Sequence, residues 1–256
     1  MAYPGRAIII GRTPDDRHDV VVYAVTGRSR SSQARRLVHE GGGTVRTEVT
    51  DRQPSQSGNE RLLLYRCLRP FPGGLAVSNG AQTDLIWETI RHLMESAPLP
   101  PAEEILRQAF QRPHLPSGVD VTRYEPDAPT YTPRISGCLA GDAALAIVRR
   151  RPDGSPQWNY FTVPLKPGQG RLLATYSGEN RDPLPAFAGD PREVGLIGRS
   201  PGETAEAVFQ ALSPEKGGPD LRVGVATLFR DIPTGRLEVA IINRSDGNMS
   251  QAEEAG

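Results

Sequence analysis

Two short runs, Ile8-Ile9-Ile10 near the start and Val223-Gly224-Val225-Ala226 near the end, carry no polar side chain at any position. Neighbouring side chains of a strand point to opposite faces, so a strand apolar throughout has no face to give to water. Such strands must be covered on both sides. Two stacked sheets with helices outside would do this, and that requirement limits the chain more than any other feature.

The rest of the apolar pattern agrees. Arg6 to Gly11 and Val20 to Thr26 read as a hairpin-like pair across the polar turn Arg12 to Asp19. Thr44 to Val49 is a weaker strand after the Gly41-Gly42-Gly43 break, and Asp51 to Glu60 reads as a polar loop. Leu62 to Leu68 and Leu75 to Val77 flank Pro70-Phe71-Pro72-Gly73-Gly74. The period then turns helical: Ile86, Ile90, Leu93, Met94 and Ala97 share a face, with Thr83 or Asp84 placed to cap it. Ile105, Leu106, Ala109 and Phe110 mark a second helix. Strands return at Arg134 to Leu139, Ala143 to Arg149, Asn159 to Val163 and Arg171 to Tyr176. Ser200-Pro201-Gly202-Glu203 is a capping box with proline at the first helical position. Leu221 to Phe229 and Leu237 to Ile242 close the pattern. Short strands grouped with three helices predict an α+β fold with mainly antiparallel sheets, as one domain over residues 1–245 with a flexible tail at 246–256.

Composition excludes more than it identifies. Thirty basic residues balance thirty acidic ones, which leaves no electrostatic footprint for nucleic acid. Lys166 and Lys216 are the only lysines, so arginine supplies 28 of the 30 basic residues. That excess suits bidentate recognition of phosphate or carboxylate, and biased codon usage would produce it equally. Cys67 and Cys138 form no CxxC, and the four histidines are scattered, so neither a disulfide scaffold nor a metal site is expected. With no apolar leader and no long apolar stretch, a soluble cytoplasmic protein without membrane contact is the expectation.

Four segments are denser in chemistry than structure alone requires. Tyr23 to Ser32 runs a strand into Gly27, Arg28, Ser29, Arg30, Ser31 and Ser32, which is either an anion-binding turn or a solvated basic loop. Tyr65 in Tyr65-Arg66-Cys67 is either a core phenol or a proton donor. Val77 to Asp84, with Asn79-Gly80, sets a turn just before a helix N-terminus, where backbone N–H groups face an anion or merely cap the helix. Tyr124 to Gly137 holds Glu125, Asp127, Thr132 and Arg134 among three prolines, a rigid presentation that suits a site or a structural salt bridge from Arg134 to either carboxylate.

In this order, these segments resemble the archaeal-type inosine monophosphate (IMP) cyclohydrolases and their bacterial relatives. The resemblance runs through Tyr3-Pro4-Gly5-Arg6, Arg28-Ser29, Tyr65-Arg66-Cys67, Val77-Ser78-Asn79-Gly80 with Thr83-Asp84, Tyr124-Glu125 leading to Thr132-Pro133-Arg134-Ile135, and Ser200-Pro201. It implies a four-layer αββα sandwich similar to the N-terminal-nucleophile hydrolases. Those hydrolases attack with an N-terminal Cys, Ser or Thr, and Met1-Ala2-Tyr3 offers none, so ring closure without an acyl-enzyme is expected.

The reaction implied is closure of 5-formamidoimidazole-4-carboxamide ribotide to IMP with loss of water, with no cofactor. Under that resemblance Tyr65 would donate to the formyl oxygen, Glu125 would act as base on the carboxamide, and Arg28 would meet an anionic or carbonyl group. Arg30 is the phosphate candidate, with Ser29, Asn79, Thr132 and Arg134 completing a substrate-binding set. Cys67 has no catalytic part. A small purine ribotide is the partner, and a homo-oligomer is the state the family suggests. An amidohydrolase exposing Cys67 or Ser29 by cleavage, and a nucleotide-binding relative without turnover, are the rival readings.

Overall fold

The computed structural model describes residues 3–50, 63–95, 98–214, 217–246 and 249–251. Strands β1 (Arg6–Arg12) and β2 (His18–Thr26) form an antiparallel hairpin, followed by a single-turn helix α1 (Arg30–Gln33). Next come β3 (Arg35–Gly41), β4 (Thr44–Val49), β5 (Arg66–Phe71) and β6 (Gly74–Ser78). Helices α2 (Gln82–Met94) and α3 (Ala102–Ala109) precede β7 (Arg134–Leu139), β8 (Ala143–Arg150), β9 (Pro156–Thr162), β10 (Gln169–Ala174) and β11 (Arg192–Gly195). Helix α4 (Pro201–Ala211) leads into β12 (Arg222–Asp231), β13 (Leu237–Asn243) and β14 (Met249–Gln251).

The fourteen strands form two seven-stranded antiparallel sheets, in the orders β11-β10-β1-β2-β12-β13-β14 and β3-β4-β5-β6-β7-β8-β9. The fold is therefore α+β with two antiparallel sheets and few helices. The first sheet has the uniformly apolar strands at its centre, and pairing explains their composition. Ile8 lies opposite Tyr23 and Arg6 opposite Val25, so these residues share one face. That face meets the second sheet: a Cβ on Gly137 of β7 would sit 2.7 Å from the Ile10 side chain. The alternate residues Ala7, Ile9, Val22 and Ala24 line a cavity of about 280 Å³ under α4. Hence neither face can be polar. In the second sheet the outward face, with Ala76, Cys138, Ala144 and Ala146, packs on Ile86 and Ile90 of α2 and on Ile105, Leu106 and Ala109 of α3. One apolar cluster joins the facing sides of both sheets.

Several boundaries differ from the sequence-based expectation for physical reasons. Strand β3 was hidden by its arginines and histidine, yet Arg35 and Leu37 alternate inward and both are buried. Short α1 and edge strand β11 carry no long periodic signal. Neither Thr83 nor Asp84 caps α2: Ala81 precedes the helix without a side-chain cap. Instead Thr83, already inside the first turn, bonds the Ser78 hydroxyl, and Asp84 pairs with Arg69 at 2.6 Å. Ser200 does cap α4, accepting from the Glu203 N–H at 3.2 Å. Leu62, Ala97 and the loop at 51–60 lie outside the described residues, as does most of the expected tail. Residues 249–251 of that tail pair with β13 at the sheet edge.

Candidate active site

At one end of the sandwich the inward-facing row of the first sheet finishes in polar groups. Arg6 continues the row of Ile8 and Ile10, and Tyr23 lies opposite Ile8 on the neighbouring strand. The second sheet contributes Tyr65, just before β5, and Arg134, the first residue of β7. All four are buried or nearly so.

Glu125 comes from the proline-rich segment between α3 and β7. Its backbone N–H donates to Thr132 O at 2.9 Å, while the Thr132 N–H donates to Asp127 Oδ1 at 2.7 Å and the Thr132 hydroxyl to Asp127 Oδ2. The Tyr124 hydroxyl ties the segment to Gly154 O at 2.6 Å, and Tyr131 packs edge-on against Tyr124. The buried Glu125 side chain is thus delivered from a closed local network. Its Oε1 accepts from Arg6 Nη2 at 2.7 Å and lies 3.9 Å from Arg134 Nη1. Of the two salt bridges that the sequence suggested for Arg134, to Glu125 or to Asp127, the Glu125 one forms only loosely, and the tight partner of Glu125 is Arg6.

The guanidiniums outnumber their acceptors. Among the described residues, Arg6 Nε, Arg134 Nε and Arg134 Nη2 are buried without a hydrogen-bond partner, and so is Arg35 Nη2. Leaving one such group unmade costs about 1–3 kcal/mol, and more where it is charged, so several together make this the candidate place for a ligand that offers acceptors. The electrostatics separate the two arginines. Burial opposes the charge on Arg6, but Glu125 and the phenols of Tyr65, Tyr176 and Tyr23 overcome it, and its pKa is raised well above the ordinary value. Burial dominates at Arg134, with Glu125 opposing, and its pKa is lowered.

Tyr23 Oη and Tyr65 Oη are 2.6 Å apart. Desolvation pushes both phenols above their usual range; at Tyr65 the charges of Arg6 and Arg35 pull the other way. Tyr176 hydrogen-bonds the Thr132 hydroxyl at 2.6 Å and is raised to about 12, mainly by burial. These phenols are protonated at neutral pH and therefore able to donate.

Of the remaining expected residues, Asn79 is linked to Arg134 through Gln82, whose Oε1 accepts from Arg134 Nη1 at 3.3 Å, and the others lie outside the cluster. Asn79 is fully buried, donating to Pro133 O at 3.0 Å and accepting from Gln82 Nε2 and the Ile135 N–H, each at 2.8 Å. Its amide clasps the β6 turn to β7. Beside it, a Cβ on Gly80 would lie 2.6 Å from Arg134 Nη1, so the turn needs glycine for the guanidinium to pass. Arg28 is exposed and pairs with Asp182 at 2.6 Å, Ser29 caps α1 by accepting from Ser32 N–H at 3.2 Å, and Arg30 is exposed in α1. Cys67 is buried, donates to Val45 O at 3.4 Å, and burial pushes its thiol strongly up. Sequence reasoning assigned no role to Arg6, Tyr23, Arg35 or Tyr176. The signal for Arg6 was available: it continues the inward row of an otherwise apolar strand. Among the described residues no three His, Cys, Asp or Glu side chains come together as a metal would require.

The family model for IMP cyclohydrolase-like proteins matches residues 3–217, a span that includes every residue of this cluster. The chain belongs to the IMP cyclohydrolase-like family. A relative named IMP cyclohydrolase, from Methanopyrus kandleri, is 33% identical over 176 residues, covering 68% of this chain and 75% of its own. Among solved structures, the Anbu (Gly-1) mutant from Hyphomicrobium sp. strain MC1 aligns over 98% of this chain and 88% of its own at 11% identity. Its TM-score of 0.29 is too low to carry an argument about the fold. Family membership thus rests on the sequence match, and the cluster described above is what this member places at one end of its two sheets.

Proposed function

We propose that this protein is an IMP cyclohydrolase, closing 5-formamidoimidazole-4-carboxamide ribotide to IMP and water in the cytoplasm, with Glu125 and Tyr65 carrying the proton transfers. The observation that carries this reading is a buried carboxylate and a buried phenol pair gathered around Arg6, with guanidinium N–H groups that lack acceptors among the described residues.

The chemistry asks for a site of this kind. Nucleophile and electrophile are in one molecule, so holding the reactive rotamer supplies much of the rate. As the carboxamide nitrogen bonds the formyl carbon, Glu125 takes a proton from that nitrogen and Tyr65 gives its proton to the formyl oxygen. In the dehydration that follows, protonated Glu125 gives the proton to the departing hydroxyl, and the Tyr65 phenolate takes one from the formamide-derived nitrogen. Water leaves and both side chains return to their starting state. Arg6 holds Glu125 in place, and Arg134 offers its unpartnered N–H groups to the substrate.

Arg28, Ser29 and Arg30 sit together on the loop and turn after β2, as a phosphate-binding group would, and Thr132 lines the site through Tyr176. Asn79 supports the site by holding the turn beside Arg134. Helices α2 and α3 on one sheet and α4 on the other support a four-layer αββα sandwich similar to the N-terminal-nucleophile hydrolases. A homo-oligomer is part of the same reading.

The test is turnover of the formamido ribotide, followed by absorbance, in Glu125→Gln and Tyr65→Phe. Each is expected to lose about a hundredfold or more in kcat. Because desolvation raises Tyr65 above the free phenol value of about 10 and its neutral form is the donor, wild-type activity should persist to about pH 10. Near-wild-type rates in both variants would sink the assignment, and IMP binding by a wild-type chain with no turnover would mark a binding protein instead.

A further inference from the structure

Tyr23 lies on the inner face of β2, opposite Ile8, and its side chain is completely buried. A phenylalanine would fill that volume, so the hydroxyl needs its own explanation. A buried hydroxyl is costly unless hydrogen-bonded, and the hydrogen bond of this one is to Tyr65 Oη at 2.6 Å.

We propose that Tyr23 is a positioning residue for the ring closure: its hydroxyl donates to the Tyr65 oxygen and so directs the Tyr65 proton towards the substrate. This rests on the reading of Tyr65 as proton donor given above. One proton lies between the two oxygens, and the surroundings decide whose it is. Tyr23 is the deeper of the two and its hydroxyl bonds nothing else among the described residues, whereas Tyr65 retains 7% of its surface at the end of the sheets that holds Arg6, Glu125 and Arg134. If Tyr65 donated inward, the Tyr23 proton would be buried without an acceptor and Tyr65 would offer the substrate only lone pairs. With Tyr23 donating, both protons are used.

The same contact serves the next state. Once Tyr65 has given its proton to the formyl oxygen, its phenolate keeps the Tyr23 hydrogen bond and faces the guanidiniums of Arg6, Arg35 and Arg134, with the Cys67 thiol also near. Tyr23 itself faces Tyr65, Cys67 and Arg6. No proton leaves Tyr23, so the balance of the reaction is unchanged. Its effect is to fix direction and to share the charge on Tyr65.

The experiment pairs turnover with a titration at position 65. In Tyr23→Phe, kcat is expected to fall about tenfold or more, the scale of one hydrogen bond to a developing charge. KM and the affinity for IMP should stay within about threefold, since Tyr23 touches no ligand. With 3,5-difluorotyrosine installed at position 65, the absorbance-detected ionisation of that residue should move to higher pH when Tyr23 becomes Phe. Unchanged ionisation at 65, or unchanged kcat, overturns the proposal. Should Tyr23→Phe fail to fold, 3-fluorotyrosine at position 23 keeps ring and hydroxyl and changes donor strength; no change in either the ionisation at 65 or kcat would again overturn it. Retained activity in Tyr65→Phe would sink the parent reading, whereas an inactive Tyr65→Phe beside a fully active Tyr23→Phe sinks this inference alone.

Discussion

The two ends of the first sheet treat buried charge in opposite ways. At the far end of β1, β2 and β12, Asp19 is 3% exposed and accepts from Arg12 through Oδ1 at 3.2 Å and from Arg230 through Oδ2 at 3.1 Å. Asp231 next to it takes Arg17 at 2.8 Å and the Thr234 hydroxyl at 2.7 Å. Both oxygens of each carboxylate are engaged. At the near end, Arg6 and Arg134 share the single oxygen Glu125 Oε1, and three of their N–H-bearing nitrogens have no acceptor. The first arrangement leaves no carboxylate oxygen or guanidinium of this set unpaired, although His18 Nδ1 beside Asp231 is buried without a partner among the described residues. The second leaves several guanidinium N–H groups for a ligand to meet, and this contrast sets a paired ion cluster against a candidate site.

The largest effects should come from cutting each cluster at its centre. Asp19→Ala leaves Arg230 without its carboxylate and Arg12 with Asp16 alone, and Glu125→Ala takes the shared carboxylate from Arg6 and Arg134. Both are expected to lose about 3 kcal/mol in urea unfolding, because an uncompensated buried charge remains. Turnover should separate them. Glu125→Ala should be inactive, whereas Asp19→Ala, measured at a temperature where it is folded, should keep activity within about threefold. Loss of activity in both variants would mean that the far end also belongs to the site.

Arg134→Met sharpens the contrast from the other direction. This guanidinium is buried, carries two unpartnered nitrogens and has its pKa lowered by desolvation. Replacing it with an apolar chain of similar length should cost less than about 1 kcal/mol, or even stabilise, since buried charge with few partners contributes little to stability. Activity should nevertheless fall. A stable, inactive Arg134→Met is the expected outcome in a paired thermal-melt and turnover measurement. A loss of several kcal/mol would show instead that Arg134 supports the fold.

How much of this was legible in the sequence depends on whether each signal was local. Strands with no polar face gave the two covered sheets, because alternation is a property of a few consecutive residues. Ser200-Pro201 gave the start of α4 for the same reason. β3 was missed because Arg35, Arg36 and His39 obscure its alternation, and Arg35 turned out to point inward. The resemblance supplied Glu125 and Tyr65, but Tyr23 and Arg6 matter through partners 42 and 119 residues away, and no spacing rule reaches across two sheets. The turn signal at Asn79 does not show that its amide is occupied by three bonds, one of them to Gln82, which also meets Arg134. That distinction needs distances.

The smallest expected effect concerns Arg28, which stands apart from both clusters. Its ion pair with Asp182 is short but largely in water, with Asp182 82% exposed. Such a pair contributes little, so Asp182→Asn should change stability by less than about 0.5 kcal/mol. Salt screens a pair of this kind easily, so Arg28 can exchange Asp182 for an anionic ligand at small cost. If Arg28 serves the substrate, Arg28→Ala should raise KM, and Asp182→Asn, which releases Arg28 from its competitor, should leave KM unchanged or lower it. Opposite shifts in the two KM values would attach this loop to the acceptor-deficient end. Unchanged KM in Arg28→Ala would leave Arg28 a surface residue and place substrate recognition on the buried arginines alone.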